Sequence, residues 1–422
     1  MKQKNSAYKI WIIQVGEPTP NYKTPNVRLF RSGQLAKKLK QRGHDVTWWT
    51  SNFNHATKQK IWNDDKVIYY HDGIKYIYLR GVNYHKNVSI LRVINHLQLA
   101  IHFLRIYSDQ DRPDIIISNY PTVDLSFITA FIANRKKIPY IIDVRDLWPD
   151  DIVNLFSKPL QNLVKSLLVG YYLAVRYIFN NTKYITGVTK KYVDWTDSKH
   201  KSAHMVTKRV FHLCCDEQTV EQMLIEKKID DIANKRICFV FSGMLGISVD
   251  LEKIFKVFNL LEQRGWIVSV DICGAGDQLE KYRSIFVDEN KYHFHGFLDS
   301  HKLNNIIKKA TFGIIPYFVT GSLNSNIPNK VGEYLNHSLP IINSLKGETE
   351  NLVKKYNIGI NYLDSQPSSI DNAMQYFSNF NINPNNYKVQ SDHAKKCYNE
   401  LFNSNKVYND YCNWVESIIN ND

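Results

Sequence analysis

The segment 321–342, GSLNSNIPNKVGEYLNHSLPII, gathers Ser325, Asn326, Asn329, Lys330 and Glu333 just after an apolar run, TFGIIPYF. That run reads as a buried strand, and ligands of open α/β sheets sit beyond the carboxyl ends of such strands. The following helix starts near Pro328, since proline is favoured in a first turn. Its free N–H groups suit a phosphate, and Lys330 adds a positive charge. Glu333 lies about one turn in, where a carboxylate can accept two adjacent hydroxyls such as those of a ribose. A capping box, with Ser or Asn at the cap and Glu farther on, is the plain structural alternative.

A second constellation, DVRDLWPD, places Asp143, Arg145 and Asp146 at the end of another strand-like run, where all three can face a cleft as candidate catalytic residues. Asp146 is suited to orienting or deprotonating a hydroxyl, and Arg145 to pairing with a phosphate or with Asp146. A structural ion-pair cluster is the alternative. CGAGDQLE has Gly274 and Gly276 but Leu279 in place of the third glycine of a dinucleotide fingerprint, so it reads as a tight turn. The DQD at 109–111 precedes its strand and reads as a solvated turn. HFH, at 293–295, sets two histidines on one strand face with no carboxylate or cysteine spaced to complete a metal site. No metal is expected.

The elements that must hold these residues repeat twice. YKIWIIQVG, DVTWWT, PDIIISNYP and PYIIDVRD alternate with helical stretches, and a hairpin forms around the Asp-Gly of KVIYYHDGIKYIYLR. Residues 160–180 read as one long helix. A break near 205–220 precedes RICFVFSGML, DLEKIFKVFNLLEQRG and WIVSVDIC, which restart the alternation. Strands alternating with helices at this pitch form parallel sheets covered on both faces. The expected fold class is α/β, with two tandem Rossmann-like domains.

At 422 residues the chain exceeds one ordinary core, and 44% hydrophobic residues suffice for two. Six cysteines without a C-x-x-C spacing indicate a reduced, cytoplasmic protein. Neither the N-terminus nor the stretch 163–179, broken by Lys165 and Arg176, reads as a signal peptide or a spanning helix. Residues 1–200 hold 30 Lys and Arg against 15 Asp and Glu, a net of +15. Residues 201–422 hold 24 against 25, a net of −1. The first half therefore meets an anionic partner, or its charge is only solvated.

IPNKVGEYLNHSLPII, together with RGHDVTWWTSNFNH, DVRDLWPD and LKGETENLVKKYNIGI, resembles glycosyltransferase family 4 over nearly the whole chain. These are retaining sugar transferases of the GT-B architecture, two Rossmann-like domains facing a central cleft. The likeness is greatest to the branch that builds bacterial O-antigen or capsule, which includes the fucosamine transferases. The resemblance implies that Glu333 grips the ribose of a UDP-sugar. Ser325 stands where many members carry a second glutamate, and a weaker acceptor there suits a deoxy or acetamido sugar. Met244 takes the place of a diphosphate-binding arginine. Lys330 is then left to carry that charge, helped by N–H groups around Gly243 and along 321–329. The backbone near Phe297 borders the nucleobase, a core aromatic being the alternative.

The implied reaction moves a hexosyl group from the UDP-sugar to a polyprenyl-diphosphate-linked saccharide on the cytoplasmic face of the inner membrane. Residues 1–207 form the acceptor domain, with a C-terminal helix at about 400–422 packing back on it, and 208–399 the nucleotide-sugar domain. Gly16, Arg28 and Arg31 meet the acceptor's phosphate or only the surface. The basic half faces an anionic membrane, and helix 160–180 touches lipid or lies in the core. No cofactor and no nucleic-acid partner is expected. A sugar-nucleotide epimerase of the same architecture, or a nucleic-acid-binding protein, remains as an alternative.

Overall fold

In the computed structural model the chain divides into two compact units, Met1–His212 with Val407–Asp422, and Leu213–Lys406. All residues are described except 1–6, 21–26, 28, 56, 86–88, 201–204, 319–322, 363–368 and 422.

The first unit opens with β1 (Lys9–Ile13), α1 (Arg31–Gln41) and β2 (Asp45–Ser51). Two short strands, β3 (Phe53–Asn54) and β4 (Gln59–Lys60), precede the hairpin β5 (Lys66–Tyr69) and β6 (Lys75–Leu79). Then come α2 (Ile90–Ile106), β7 (Ile115–Tyr120), α3 (Val123–Lys136) and β8 (Tyr140–Val144). Helices α4 (Asp150–Asn154), α5 (Lys158–Leu167) and α6 (Val169–Asn180) lead to β9 (Tyr184–Gly187), α7 (Lys190–Trp195) and β10 (Thr207–Val210). The main sheet runs β10-β9-β8-β7-β1-β2-β6-β5, parallel except where β5 turns back on β6. Strands such as KIWII and YIIDV are apolar and buried along nearly their whole length because helices cover both faces. Trp11, Trp49 and Phe103 form the aromatic centre, with ring centroids 4.6–6.2 Å apart.

The expected border at residue 207 falls at the start of β10, which pairs with β9 and so belongs to this sheet. The helix expected over 160–180 is two helices meeting at Leu168. α5 has no buried residue, which excludes the core alternative for that half. At the chain's end Tyr411 stacks on Phe211 at 4.3 Å, and Glu416 meets Arg42 at 3.0 Å and His44 at 2.9 Å. These contacts lie along a helix spanning Ser404–Asn421.

The second unit contains α8 (Gln222–Ala233), β11 (Arg236–Ser242), α9 (Leu251–Gln263), β12 (Ile267–Cys273), α10 (Leu279–Ile285), β13 (Tyr292–Gly296), α11 (Ser300–Ile307) and β14 (Phe312–Ile315). It continues with α12 (Asn329–Asn336), β15 (Ile341–Asn343), α13 (Glu348–Tyr356), β16 (Gly359–Asn361), α14 (Ser369–Ile382) and α15 (Asn385–Leu401). Its sheet is wholly parallel, in the order β13-β12-β11-β14-β15-β16. Phe239 and Phe312 pack with Phe258 and Phe377 on one face; Val240 and Ile341 pack with Val331 and Tyr398 on the other. The strand order reverses between β11 and β14, and between β1 and β7 in the first unit. Crevices form at the carboxyl ends of strands at such points.

Candidate active site

In the second unit the β11/β14 reversal holds the segment that opened the sequence analysis. Helix α12 begins after Pro328, as its sequence predicts, and this N-cap proline makes no side-chain capping bond. The capping-box alternative therefore falls. Two packing devices seat the helix. Tyr334 accepts a hydrogen bond from the Ser242 backbone N–H at 2.8 Å, and Gly313 leaves the space its ring occupies, since a Cβ there would stand 2.2 Å from the ring.

Lys330 is only 6% exposed, and its Nζ has no hydrogen-bond partner among the described residues. The ammonium stands over the Phe241 ring at 3.8 Å and the Tyr317 ring at 4.9 Å. Burial lowers its pKa to about 7, and Glu333 opposes that shift. A buried cation with ring faces beside it and no hydrogen-bond acceptor among the described residues retains the capacity to bind an anion. It lies against Gly243, whose φ of +131° turns the chain sharply after β11. Gly274 and Gly276 admit the neighbouring turn. A Cβ on the first would stand 1.8 Å from the Gly243 carbonyl oxygen, and one on the second 2.5 Å from that of Leu245. The glycine pair thus serves close backbone packing, as a tight turn should.

Glu333 is half-buried and Asn329 exposed. Ser325 ends a short 3-10 turn. The Asn326 carbonyl accepts from Thr349 Oγ1 at 3.1 Å, while its side-chain oxygen is buried without a partner among the described residues. Phe297 follows β13 and is 88% exposed, so it is no core aromatic. On β13 itself, His295 meets Asp271 of β12 at 2.6 Å and His293 lies 3.7 Å from it. A carboxylate does therefore reach this pair, contrary to the sequence reading. No group of three or more His, Cys, Asp or Glu among the described residues is placed to hold a metal ion.

In the first unit, a pocket of about 200 Å³ opens beside the β1/β7 reversal, lined among others by Gly16, Arg145 and Asp146. Asp146 is raised to about 6 by burial and then by the Asp151 carboxylate, against the pull of Arg92 and Arg145. Arg145 bonds Glu17, Ser32 Oγ at 2.8 Å, Asn119 Oδ1 at 3.1 Å and Asp143 at 3.0 Å, which fixes its guanidinium at the pocket wall.

Asp143 and Arg31 correct the sequence reading. Asp143 is fully buried and accepts from Arg31 Nε and Nη2, both at 2.9 Å, from Thr186 Oγ1 at 2.7 Å and from Arg145 Nε at 3.0 Å. Its oxygens are saturated by protein donors, so it positions Arg145 rather than meeting substrate. Arg31 is spent on Asp143 and on the carbonyls of Phe211 and His212, out of reach of an acceptor phosphate. Arg28 lies outside the described residues.

Sequence reasoning missed the rest of the pocket wall: Arg92, Asn95 and His96 of α2, with His55 and Tyr84. His55 Nδ1 lies 2.6 Å from the Tyr84 hydroxyl. Burial, with Arg92 and His55 nearby, lowers His96 to about 3. Burial, with Lys58 and Arg92, lowers His55 to about 4. Both imidazoles are thus neutral near pH 7 and able to hydrogen-bond hydroxyls. The available signal was Arg92, Asn95 and His96 set within five residues of one another near the start of α2.

A family model described as a glycosyl transferase 4-like domain matches residues 31–194. No curated protein matches the chain. Among solved structures it is similar to a sucrose-phosphate synthase from Thermosynechococcus elongatus, at TM-score 0.67 and 13% identity over 98% of this chain and 100% of that one. It is also similar to Anabaena HepE in complex with UDP, at TM-score 0.63 and 11% identity over 97% and 100%. A third is WaaG, a glycosyltransferase involved in lipopolysaccharide biosynthesis, at TM-score 0.55 and 11% identity over 98% and 100%. At these identities the likeness carries the fold.

Proposed function

We propose that this chain, whose residues 31–194 match a glycosyl transferase 4-like domain, is a glycosyltransferase of the family 4 type, with its second unit binding a UDP-sugar and its first unit a lipid-linked saccharide that receives the sugar. The observation that carries this reading is the buried ammonium of Lys330, without a hydrogen-bond partner among the described residues, beside the N-terminus of α12. Lys330, the N–H groups of the α12 N-terminus and the Gly243 turn hold the diphosphate, with no metal called for. Glu333 accepts the ribose hydroxyls, Ser325 and Asn326 lie toward the sugar, and the backbone at Phe297 borders the base. The UDP and UDP-glucose bound to HepE support this donor class.

In the transfer, the bond from the anomeric carbon to the diphosphate oxygen breaks and one to the acceptor oxygen forms, with retention. Asp146, ionised above pH 6, orients the acceptor hydroxyl, whose proton leaves to the carboxylate or to the departing diphosphate. The part WaaG plays in lipopolysaccharide biosynthesis supports a role in a bacterial surface polysaccharide, O-antigen or capsule, made at the cytoplasmic face of the inner membrane. Calorimetric titration of UDP tests the reading. Glu333→Ala should weaken binding roughly ten-fold to over a hundred-fold, by loss of hydrogen bonds to a charged group, whereas Ser325→Ala should leave UDP affinity nearly unchanged. A Glu333→Ala protein that binds UDP like the parent overturns the donor site.

A further inference from the structure

Helix α2 has two unlike faces. Arg92, Asn95 and His96 line the pocket. Val93, Leu97, Ile101 and Leu104 form a stripe on the other side, all between 40% and 51% exposed. The stripe does not stand alone. α3 packs against both α2 and α6 and leaves Phe131 exposed; α5 packs against α6. On α5, Leu160, Leu163 and Leu167 are exposed, the last at 75%, and α6 adds Val169 and Leu173. Such a run of exposed large apolar side chains on neighbouring helices exceeds what a free surface carries.

The charges around it choose the occupant. Apart from the pocket-lining Arg92, α2, α5 and α6 hold Arg105, Lys158, Lys165 and Arg176, and no Asp or Glu. A second copy docking on this face would set like charge against like. An anionic lipid surface takes both the apolar stripe and the basic side chains, which reach headgroups while their stems lie along acyl chains. No described helix is long and apolar enough to cross a membrane. We propose that the outer faces of α2, α5 and α6 insert into the headgroup layer of an anionic bilayer, so that α2 holds the pocket on its inner face at the membrane surface. Attachment is then by burial of leucine side chains as well as by charge. Its purpose rests on the lipid-linked acceptor proposed above; the surface itself does not.

The test is flotation of the whole chain with vesicles of phosphatidylglycerol and phosphatidylcholine in equal parts. The parent should float at low salt and remain bound at about 1 M NaCl, where screening has shortened to roughly 3 Å. The neutral triple variant Leu97→Gln, Leu163→Gln, Leu167→Gln should lose roughly a hundred-fold or more in partitioning. Unchanged UDP titration would show that variant folded with its donor site intact. Release of the parent at high salt, or a variant that floats like the parent, overturns the insertion. So does a parent that fails to float but sediments as a dimer that the variant splits. If the parent floats as expected while Glu333→Ala leaves UDP binding unaltered, the donor reading falls and this surface stands.

Discussion

The ammonium of Lys330 lies 3.0 Å from the point where a Cβ on Gly243 would stand. The lysine head and the turn after β11 are therefore neighbours by packing, although 87 residues separate them in the chain. Gly243→Ala tests this directly. The alanine meets a strained φ of +131° and displaces the ammonium at once. UDP affinity should fall about ten-fold or more, with a modest loss of stability, as read by calorimetric titration and thermal unfolding. An alanine variant with parental affinity would detach the turn from the site.

The same lysine predicts a pH dependence. Its folded pKa is near 7 because burial disfavours the charged form. A bound diphosphate favours that form, so above pH 7 binding must draw a proton onto Lys330. The dissociation constant of UDP should rise with pH between 7 and 9, by up to about ten-fold per pH unit. Lys330→Met should bind more weakly at pH 6, roughly ten-fold to a hundred-fold, and show a flat profile. Parallel slopes for the parent and the methionine variant would show that another group titrates.

Much of this arrangement was legible in the sequence, and the exceptions have physical reasons. The alternation of apolar strands with helices reports local burial, so both sheets could be read from it. Pro328 marks the start of α12 because its preference is local, which placed Lys330 and Glu333 within that helix's first five residues. Asp143 was misread because its burial depends on Arg31, Thr186 and Arg145, which come from separate elements. Strand position alone cannot tell a carboxylate facing substrate from one enclosed by donors. The α2 side of the pocket escaped notice because the helix is apolar on both sides, with Leu99, Ala100 and Phe103 buried and Val93, Leu97, Ile101 and Leu104 exposed, so no single polar face marks it. The exposed apolar side is the ground for the membrane-facing surface proposed above.

Asp146 lines the pocket and is raised to about 6 by burial and by Asp151. As the group that orients or deprotonates the acceptor hydroxyl, it must be ionised. kcat/KM should therefore climb as pH rises through 6 and level off above 7, since the ionised fraction grows in that direction. Asp146→Asn should reduce kcat by about 10²–10⁴ and remove this limb, while UDP affinity stays as in the parent. An asparagine variant that keeps the acid limb would move the titration to another residue.

Asp143 should behave differently, as a residue that holds Arg145 in place from inside the fold. Burial alone would raise its carboxyl; Arg31 and Arg145 outweigh that and keep it well below the usual carboxylate range. A group depressed in the folded state contributes stability above its unfolded pKa, near 4, and that contribution is lost as pH falls through the folded value. The first unit should thus lose stability steeply below about pH 4. Asp143→Asn removes the charge but leaves two buried guanidinium groups short of a partner, at a cost of about 3–5 kcal/mol. Denaturant unfolding should show this loss at neutral pH together with a shallower acid dependence. If the variant unfolds like the parent but transfers no sugar, Asp143 acts on substrate and the ion-pair assignment is wrong.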